Sequence, residues 1–326
     1  MNPADMLAHW PEAAGLGVRP LPGGHVNRTY ALGDAVGGDR FVLQCINGHV
    51  FTNPEGVMRN LSKLLARHAG IVAPIPTQAG LLWAMDEAGE LWRLFPFVDG
   101  RNLQELPDTL AEPAGFAFGD FHAAVAGMDD ELEPVIDGFH DLARYLDALW
   151  EAAPAASAEV DFVAARDAFR FADLRTVIHG DCKVNNLLFH PEEPRVTHLI
   201  DLDTAMHGHP AWDFGDLVRS VASGAEEAGS ALHVSVTALE QVARGFARGA
   251  GGIVDPKAFA AAPGHMSFML GVRFLTDHHA GDRYFRVAWR GQNLERARSQ
   301  LDAARRFDAL EAAFEETLHH VAAALV

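Results

Sequence analysis

Apolar residues in the first hundred positions come in short runs, whereas those further along recur every three or four residues. Residues 20–32 hold two short apolar segments around Gly23 and Gly24, a hairpin signal. Residues 41–46 (FVLQCI) form a continuous apolar, β-branched and aromatic run of strand length. Asn53 is an N-cap candidate with Pro54 at the first helical position. Val57, Leu61, Leu64 and Leu65 follow at helical spacing, and Gly70 offers a stop. Residues 81–85 and 90–98 predict a second hairpin around residues 86–89. The expected order is strand, strand, helix, strand, strand.

After Asp99 the period changes. Phe118, Phe121, Val125 and Met128 recur at helical spacing, as do Phe139, Leu142, Tyr145, Leu146 and Leu149. The Ala-rich stretch 151–159 and most of 230–326 also read as helix, while residues 176–203 read as short strands joined by tight loops. The pattern predicts an α+β fold of two lobes. Residues 1–98 would form a small β-rich lobe and residues 99–326 a larger, mainly helical one, with a ligand cleft between them.

Composition narrows the classes of function. At 326 residues and 49% hydrophobic content the chain can bury a full core without staples. The 26 Lys and Arg against 44 Asp and Glu leave a net charge of −18, which argues against general binding of nucleic acid or anionic membranes. A phosphate-bearing ligand would need local cations or a metal ion. Cys45 and Cys182 make no disulfide framework and no zinc spacing, and the His207/His209 and His278/His279 pairs lack metal-site partners. With no signal-peptide pattern at residue 1 and no apolar run long enough to span a bilayer, the chain is expected to be soluble and cytoplasmic. Its oligomeric state is not legible.

Candidate chemistry concentrates in residues 177–204, VIHGDCKVNNLLFHPEEPRVTHLIDLDT. Asp181 sits on a loop after a short strand, Asn186 follows five residues on, and a hairpin turned at residues 191–194 ends in Asp201 and Asp203. Asp181, Asn186 and Asp201 are thereby brought to one point. Mg²⁺-assisted phosphoryl transfer uses such a set: one carboxylate accepts the nucleophile's proton, while an amide oxygen and a second carboxylate hold the cation. Lys183 reaches the transferring phosphoryl group or stays solvated. Asp203 is a second metal ligand or a hairpin-end cap. His179 reads as a packed loop anchor. No Walker A pattern and no Gly-x-Gly-x-x-Gly occurs, so P-loop and Rossmann readings fail.

The pattern His179-Gly180-Asp181-x-Lys183-x-x-Asn186 resembles the catalytic loop of the aminoglycoside phosphotransferase and choline kinase-like family, relatives of the protein kinases. Residues 200–203 (IDLD) look like that family's metal-binding motif, and residues 209–216 (HPAWDFGD) like the segment whose Asp buttresses the loop. The phrases GGHVNRTY, FVLQCINGHVFTNPEGVMRN, HGDCKVNNLLF, IDLDT and GVRFLTDHHAGDRYF resemble the N-acetylhexosamine 1-kinases more narrowly. The resemblance implies a bilobal kinase fold, ATP and Mg²⁺ as cofactors, Asp181 as base, and Asn186 and Asp201 on the metal. It further implies that Arg273 and Tyr284 contact a sugar acceptor.

In this reading the turn carrying Gly23, Gly24, His25, Asn27 and Thr29 covers the nucleotide phosphates, although a Gly pair alone also makes an ordinary hairpin. Phe95 and Phe97 would line an adenine slot. Gln44 stands where many such kinases carry a Lys or Arg on the third strand, so phosphate binding is expected to lean on Mg²⁺ and the glycine turn. The same departure puts in doubt any Lys–Glu pair involving Glu55.

Overall fold

The computed structural model describes residues 2–21, 26–34, 37–128, 131–167, 169, 171–223 and 234–324. Strands β1 (Gly17–Pro20), β2 (Arg28–Asp34), β3 (Gly38–Cys45), β4 (Ala84–Met85) and β5 (Leu91–Pro96) build an antiparallel sheet in the order β1-β2-β3-β5-β4. Between β1 and β2, Gly23, Gly24 and His25 lie outside the described residues. The run FVLQCI, continuous in sequence, hides a period of two. Phe41, Leu43 and Cys45 pack with Met6, Leu7, Trp10, Trp92 and Leu94 in a core above the sheet. Alternate residues of β3 and β5, among them Gln44, Arg93 and Phe95, fall on the opposite face because successive side chains of a strand point opposite ways. Asp86 shapes the β4–β5 hairpin by accepting hydrogen bonds from the backbone of Ala88 (2.9 Å) and Glu90 (2.8 Å) and from the Trp92 indole (3.1 Å).

Helix α1 (Pro54–Leu65) begins as its pattern predicts, with the Asn53 side chain accepting from Gly56 N at 3.0 Å. It ends at Leu65, short of Gly70, because the next residues bond to the other lobe. Gly70 O accepts from Leu199 N at 2.8 Å, and Ile71 bridges Leu199. Val57, Met58, Leu61 and Leu64 of α1 belong to the large lobe's core cluster. On its flank Arg59 donates to Glu133 at 2.5 and 2.8 Å, Asn53 donates to the same carboxylate at 3.0 Å, and Asn60 pairs with the Glu133 backbone.

The large lobe contains β6 (Arg101–Asn102), α2 (Ala111–Val125), α3 (Leu142–Glu151), α4 (Ala158–Ala165), β7 (Thr176–Ile178), β8 (Leu187–Phe189), β9 (Val196–Leu199), β10 (Met206–Gly208), α5 (Pro210–Ser223), α6 (Val236–Ala250), α7 (Pro256–Ala280) and α8 (Gln292–Ala323). Its short strands form two small antiparallel sheets, β6-β8-β9 and β10-β7. The stretch 151–159 is not one helix as expected. Pro154 lacks an amide donor, and the Ser157 side chain accepts from Val160 N to start α4 afresh. Helices α2 and α6 approach backbone to backbone, since a Cβ on Gly115 would collide with Val242 O and one on Gly245 with Glu112 O. Among the described residues no helix is long and apolar enough to cross a membrane.

Candidate active site between the lobes

Strand β7 delivers His179, Gly180 and Asp181 to the cleft, and α5 fixes them from below. Asp213, fully buried, accepts from His179 N (2.7 Å), Gly180 N (2.9 Å) and His122 Nε2 (2.9 Å). Burial works against its charge, but the His122 hydrogen bond and those backbone donors hold its carboxyl below the ordinary value. Gly180 has φ +80°, and a Cβ there would lie 2.5 Å from Thr204 O. His179 is the packed anchor that its position suggests. Its Nε2 donates to Ile200 O (3.2 Å), its Nδ1 accepts from Asp181 N (3.3 Å), and its ring meets Phe118 edge-on. The Cys182 thiol is buried and pushed well above its usual value by that burial, so it offers no nucleophile.

The three predicted carboxylate and amide residues do converge. Asn186, in a one-turn helix ahead of β8, donates from Nδ2 to Asp181 O (2.8 Å) and Oδ2 (3.0 Å), while its backbone carbonyl accepts from Ile200 N (3.0 Å). Lys183 Nζ lies 2.9 Å from Asp181 Oδ1. Desolvation alone would raise the Asp181 carboxyl, but the Lys183 charge and hydrogen bond bring it below the usual carboxylate range. Asp201 follows β9 in a left-handed conformation (φ +62°). Although its side chain is open to the cleft, the surrounding protein and the charges of Asp203 and Asp181 push its carboxyl up to about 7. A site that crowds acidic groups in this way has the electrostatics of a cation site. The donor chemistry fits Mg²⁺: the Asp201 carboxylate, and Asn186 Oδ1, which is the free end of an amide whose nitrogen is committed to Asp181. Among the described residues no three His, Cys, Asp or Glu side chains form a complete metal cage, so an ion here would take its other ligands from water and nucleotide.

Asp203, expected as a second metal ligand or a hairpin-end cap, is held by partners from the small lobe. Arg93 of β5 grips it in a two-pronged ion pair, Nη1–Oδ1 at 2.7 Å and Nη2–Oδ2 at 2.8 Å, with both side chains buried. Asn27 Nδ2 adds a bond to Oδ2 at 2.8 Å. Oδ1 thus accepts one of these bonds and Oδ2 two, and the geometry ties Asp203 to Arg93 and Asn27 across the cleft. Arg93 also donates to Gln44 Oε1 from Nε (3.0 Å) and Nη2 (2.6 Å), and Gln44 Nε2 donates to Thr29 Oγ1 (3.2 Å). Glu55, by contrast, pairs among the described residues with Arg59 on the helix surface, at 3.2 Å. Of the expected adenine-slot residues, Phe95 is half-buried beneath the Arg93 guanidinium (5.0 Å) and Phe97 is exposed at the end of the sheet.

On the large-lobe side, the Arg273 guanidinium of α7 lies among four rings, 5.1 Å from Tyr145 and 5.3–5.5 Å from Phe139, Tyr284 and Phe285. It donates to Tyr284 Oη at 3.3 Å, so these two residues, eleven apart in sequence, stand together as expected. Buried Asp277, one α7 turn on, holds the following loop by accepting from the backbone of Arg283, Tyr284 and Phe285 at 2.8–2.9 Å. His140, which sequence reasoning missed, joins this cage to the catalytic loop. Its ring lies 4.1 Å from that of Phe139, and its Nε2 donates to Gly180 O at 2.8 Å. His140 adopts φ +60°, a left-handed backbone that no local sequence signal announces. A cavity of about 540 Å³ adjoins, lined by Phe139, Arg175, Thr204 and His207 among others.

A small sheet lobe, a helical lobe and, between them, a loop carrying Asp181, Lys183 and Asn186 form the architecture of kinase-like phosphotransferases. Residues 17–254 match the model of the phosphotransferase enzyme family (APH). The chain belongs to that family. Among solved structures it is similar to a putative aminoglycoside phosphotransferase from Ralstonia eutropha JMP134 (20% identity, 95% of this chain and 98% of that one, TM-score 0.61). It is also similar to a microcompartment-associated aminopropanol kinase (16%, 96% and 97%, TM-score 0.66). A third likeness is to an amicoumacin kinase in complex with AMP-PNP and Ca²⁺ (14%, 90% and 91%, TM-score 0.61).

Proposed function

We propose that this phosphotransferase moves the γ-phosphoryl group of ATP to the anomeric hydroxyl of an N-acetylhexosamine, GlcNAc or GalNAc, with Mg²⁺. The family assignment and the AMP-PNP bound to a relative of the same fold support a nucleotide donor. Asp181 orients the acceptor hydroxyl and takes its proton as the oxygen attacks phosphorus, and the bond from phosphorus to the ADP oxygen breaks. Lys183 keeps Asp181 ionised for that role. Mg²⁺ held by Asp201 and Asn186 Oδ1 would neutralise charge on the β- and γ-phosphates.

The observation that carries the acceptor reading is the cage around Arg273. Aromatic cages elsewhere receive cationic ligands, but here the protein's own guanidinium fills the cage. An acceptor ammonium would meet a like charge. A neutral ring suits the site better: its C–H faces lie against aromatic side chains, and its hydroxyls and amide carbonyl accept from Arg273. An amino-alcohol acceptor would need an anionic subsite; of the two glutamates lining the cavity, Glu133 is committed to Arg59 and Asn53, and Glu131 is exposed at its rim. The test is an acceptor panel with ATP and Mg²⁺, followed by NMR assignment of the phosphorylated oxygen. Turnover of N-acetylhexosamines at the anomeric position is expected. Phosphorylation elsewhere, or a preference for aminoglycosides or amino alcohols, would overturn the acceptor and leave the kinase chemistry standing.

A further inference from the structure

Residue 44 of β3 is a glutamine and brings no charge to the cleft. The register of the sheet shows what stands beside it. Thr29 of β2, Gln44 of β3 and Arg93 of β5 are direct cross-strand partners, Thr29 with Gln44 and Gln44 with Arg93. Directly opposed residues share a face, so the three side chains form a row on the cleft side of the sheet. We propose that Arg93 stands in from β5 for the cation that β3 lacks, not by offering its charge, which Asp203 neutralises, but as a positioning residue that acts on the nucleotide through Gln44 and Asp203. This rests on reading the cleft as a nucleotide site.

Three features carry the assignment. The guanidinium donates twice to Gln44 Oε1, which fixes the amide with Nε2 turned away from Arg93. One N–H of that nitrogen goes to Thr29 Oγ1, and the other has no partner among the described residues. A carbonyl drawn on by a cation makes its amide a stronger donor, so the free N–H of half-buried Gln44 is polarised toward an anion. The second feature is the bidentate grip on Asp203, two residues beyond Asp201, which ties the metal-side loop to the sheet. The third is Asn27, on the strand side of the glycine turn. Its Nδ2 donates to Asp203 and its Oδ1 accepts from Asn47 N (3.0 Å), so the residue just ahead of β2 joins the same network. Arg93 thus sets the relative places of Asn27, the third strand and the metal-side loop. Buried, with four N–H groups in these bonds and the fifth directed at Met58 Sδ (3.7 Å), it has no donor to spare for phosphate itself.

The test measures binding of a non-hydrolysable ATP analogue by calorimetry, with and without Mg²⁺, alongside melting temperature and the KM of each substrate. Arg93→Met is expected to weaken analogue binding tenfold or more and to leave the acceptor KM unmoved. Adding Gln44→Lys in the same chain is expected to recover most of the loss, because the ammonium introduced at position 44 can pair with Asp203 and tie β3 to the metal-side loop again. A folded Arg93→Met protein that binds the analogue as wild type does would overturn the proposal. So would a double variant no tighter than the single one, or equal rises in both KM values. Should Arg93→Met fail to fold, leaving Asp203 buried without its partner, Arg93→Lys decides. It keeps the charge but cannot fork, so weaker analogue binding at an unchanged melting temperature supports the assignment, and wild-type binding refutes it. Wild-type protein that binds no ATP analogue would instead sink the kinase reading.

Discussion

Asp213 and Asp181 stand on either side of one loop and carry opposite duties. Asp181 faces the cleft beside Lys183, and replacing it with Asn removes the proposed proton acceptor while keeping its shape; kcat is expected to fall by roughly 10²- to 10⁴-fold with little change in melting temperature. Acceptor-dependent ADP release by the purified variant measures this. Asp213 faces inward and holds the loop by the backbone amides of His179 and Gly180. Asp213→Asn turns one acceptor into a donor against those amides, so it should cost on the order of 3 kcal/mol at neutral pH. The folded carboxyl titrates below its unfolded value near 4. Its share of stability is therefore complete above that value and is lost as pH falls through the folded one. The gap in melting temperature between wild type and Asp213→Asn should be widest near pH 7 and close below about pH 4. A gap that stays constant down to pH 3 would contradict the assigned charge. Asp181 and Asn186 were legible from sequence because their spacing is local. His140 was not, because a lone histidine in a loop leaves no pattern, and only its backbone and its bond to Gly180 reveal its place.

Among the elements, what was legible follows the range of the interactions. The start of α1 is written in Asn53 and Pro54, and the β4–β5 turn in Asp86, since both are short-range hydrogen-bonding arrangements. The end of α1 and the break between α3 and α4 are decided by partners or caps that compete with helical spacing. The row Thr29–Gln44–Arg93 depends on strand register across a separation of 49 residues between Gln44 and Arg93, and the substituted glutamine was its one visible trace. Register also governs α2 and α6, where glycines let two backbones touch. Gly245→Ala forces a methyl against Glu112 O, and a loss of about 2 kcal/mol or more is expected in denaturant unfolding. The same change at Gly251, whose Cβ would meet nothing within 4 Å but whose φ is +75°, should cost only the backbone strain of about 1 kcal/mol.

Across the whole molecule the −18 charge sets the terms on which a nucleotide enters. Acidic groups crowd the site itself, with Asp201 pushed up by its neighbours, so chelating divalent cations with EDTA should abolish turnover and added Mg²⁺ should restore it. Activity that survives chelation would contradict the assigned role of Asp201 and Asn186. The two lobes are also less separable than their secondary structures suggest. Helix α1 lies in the first hundred residues, yet its apolar stripe is sunk in the core of the large lobe and its flank is tied to Glu133. A fragment of residues 1–98 produced alone would leave Val57, Met58, Leu61 and Leu64 in water, and a fragment of residues 99–326 would keep an open trough where they belong. Neither half is expected to be soluble by itself, whereas the two produced together in one cell should find each other and rebuild the enzyme.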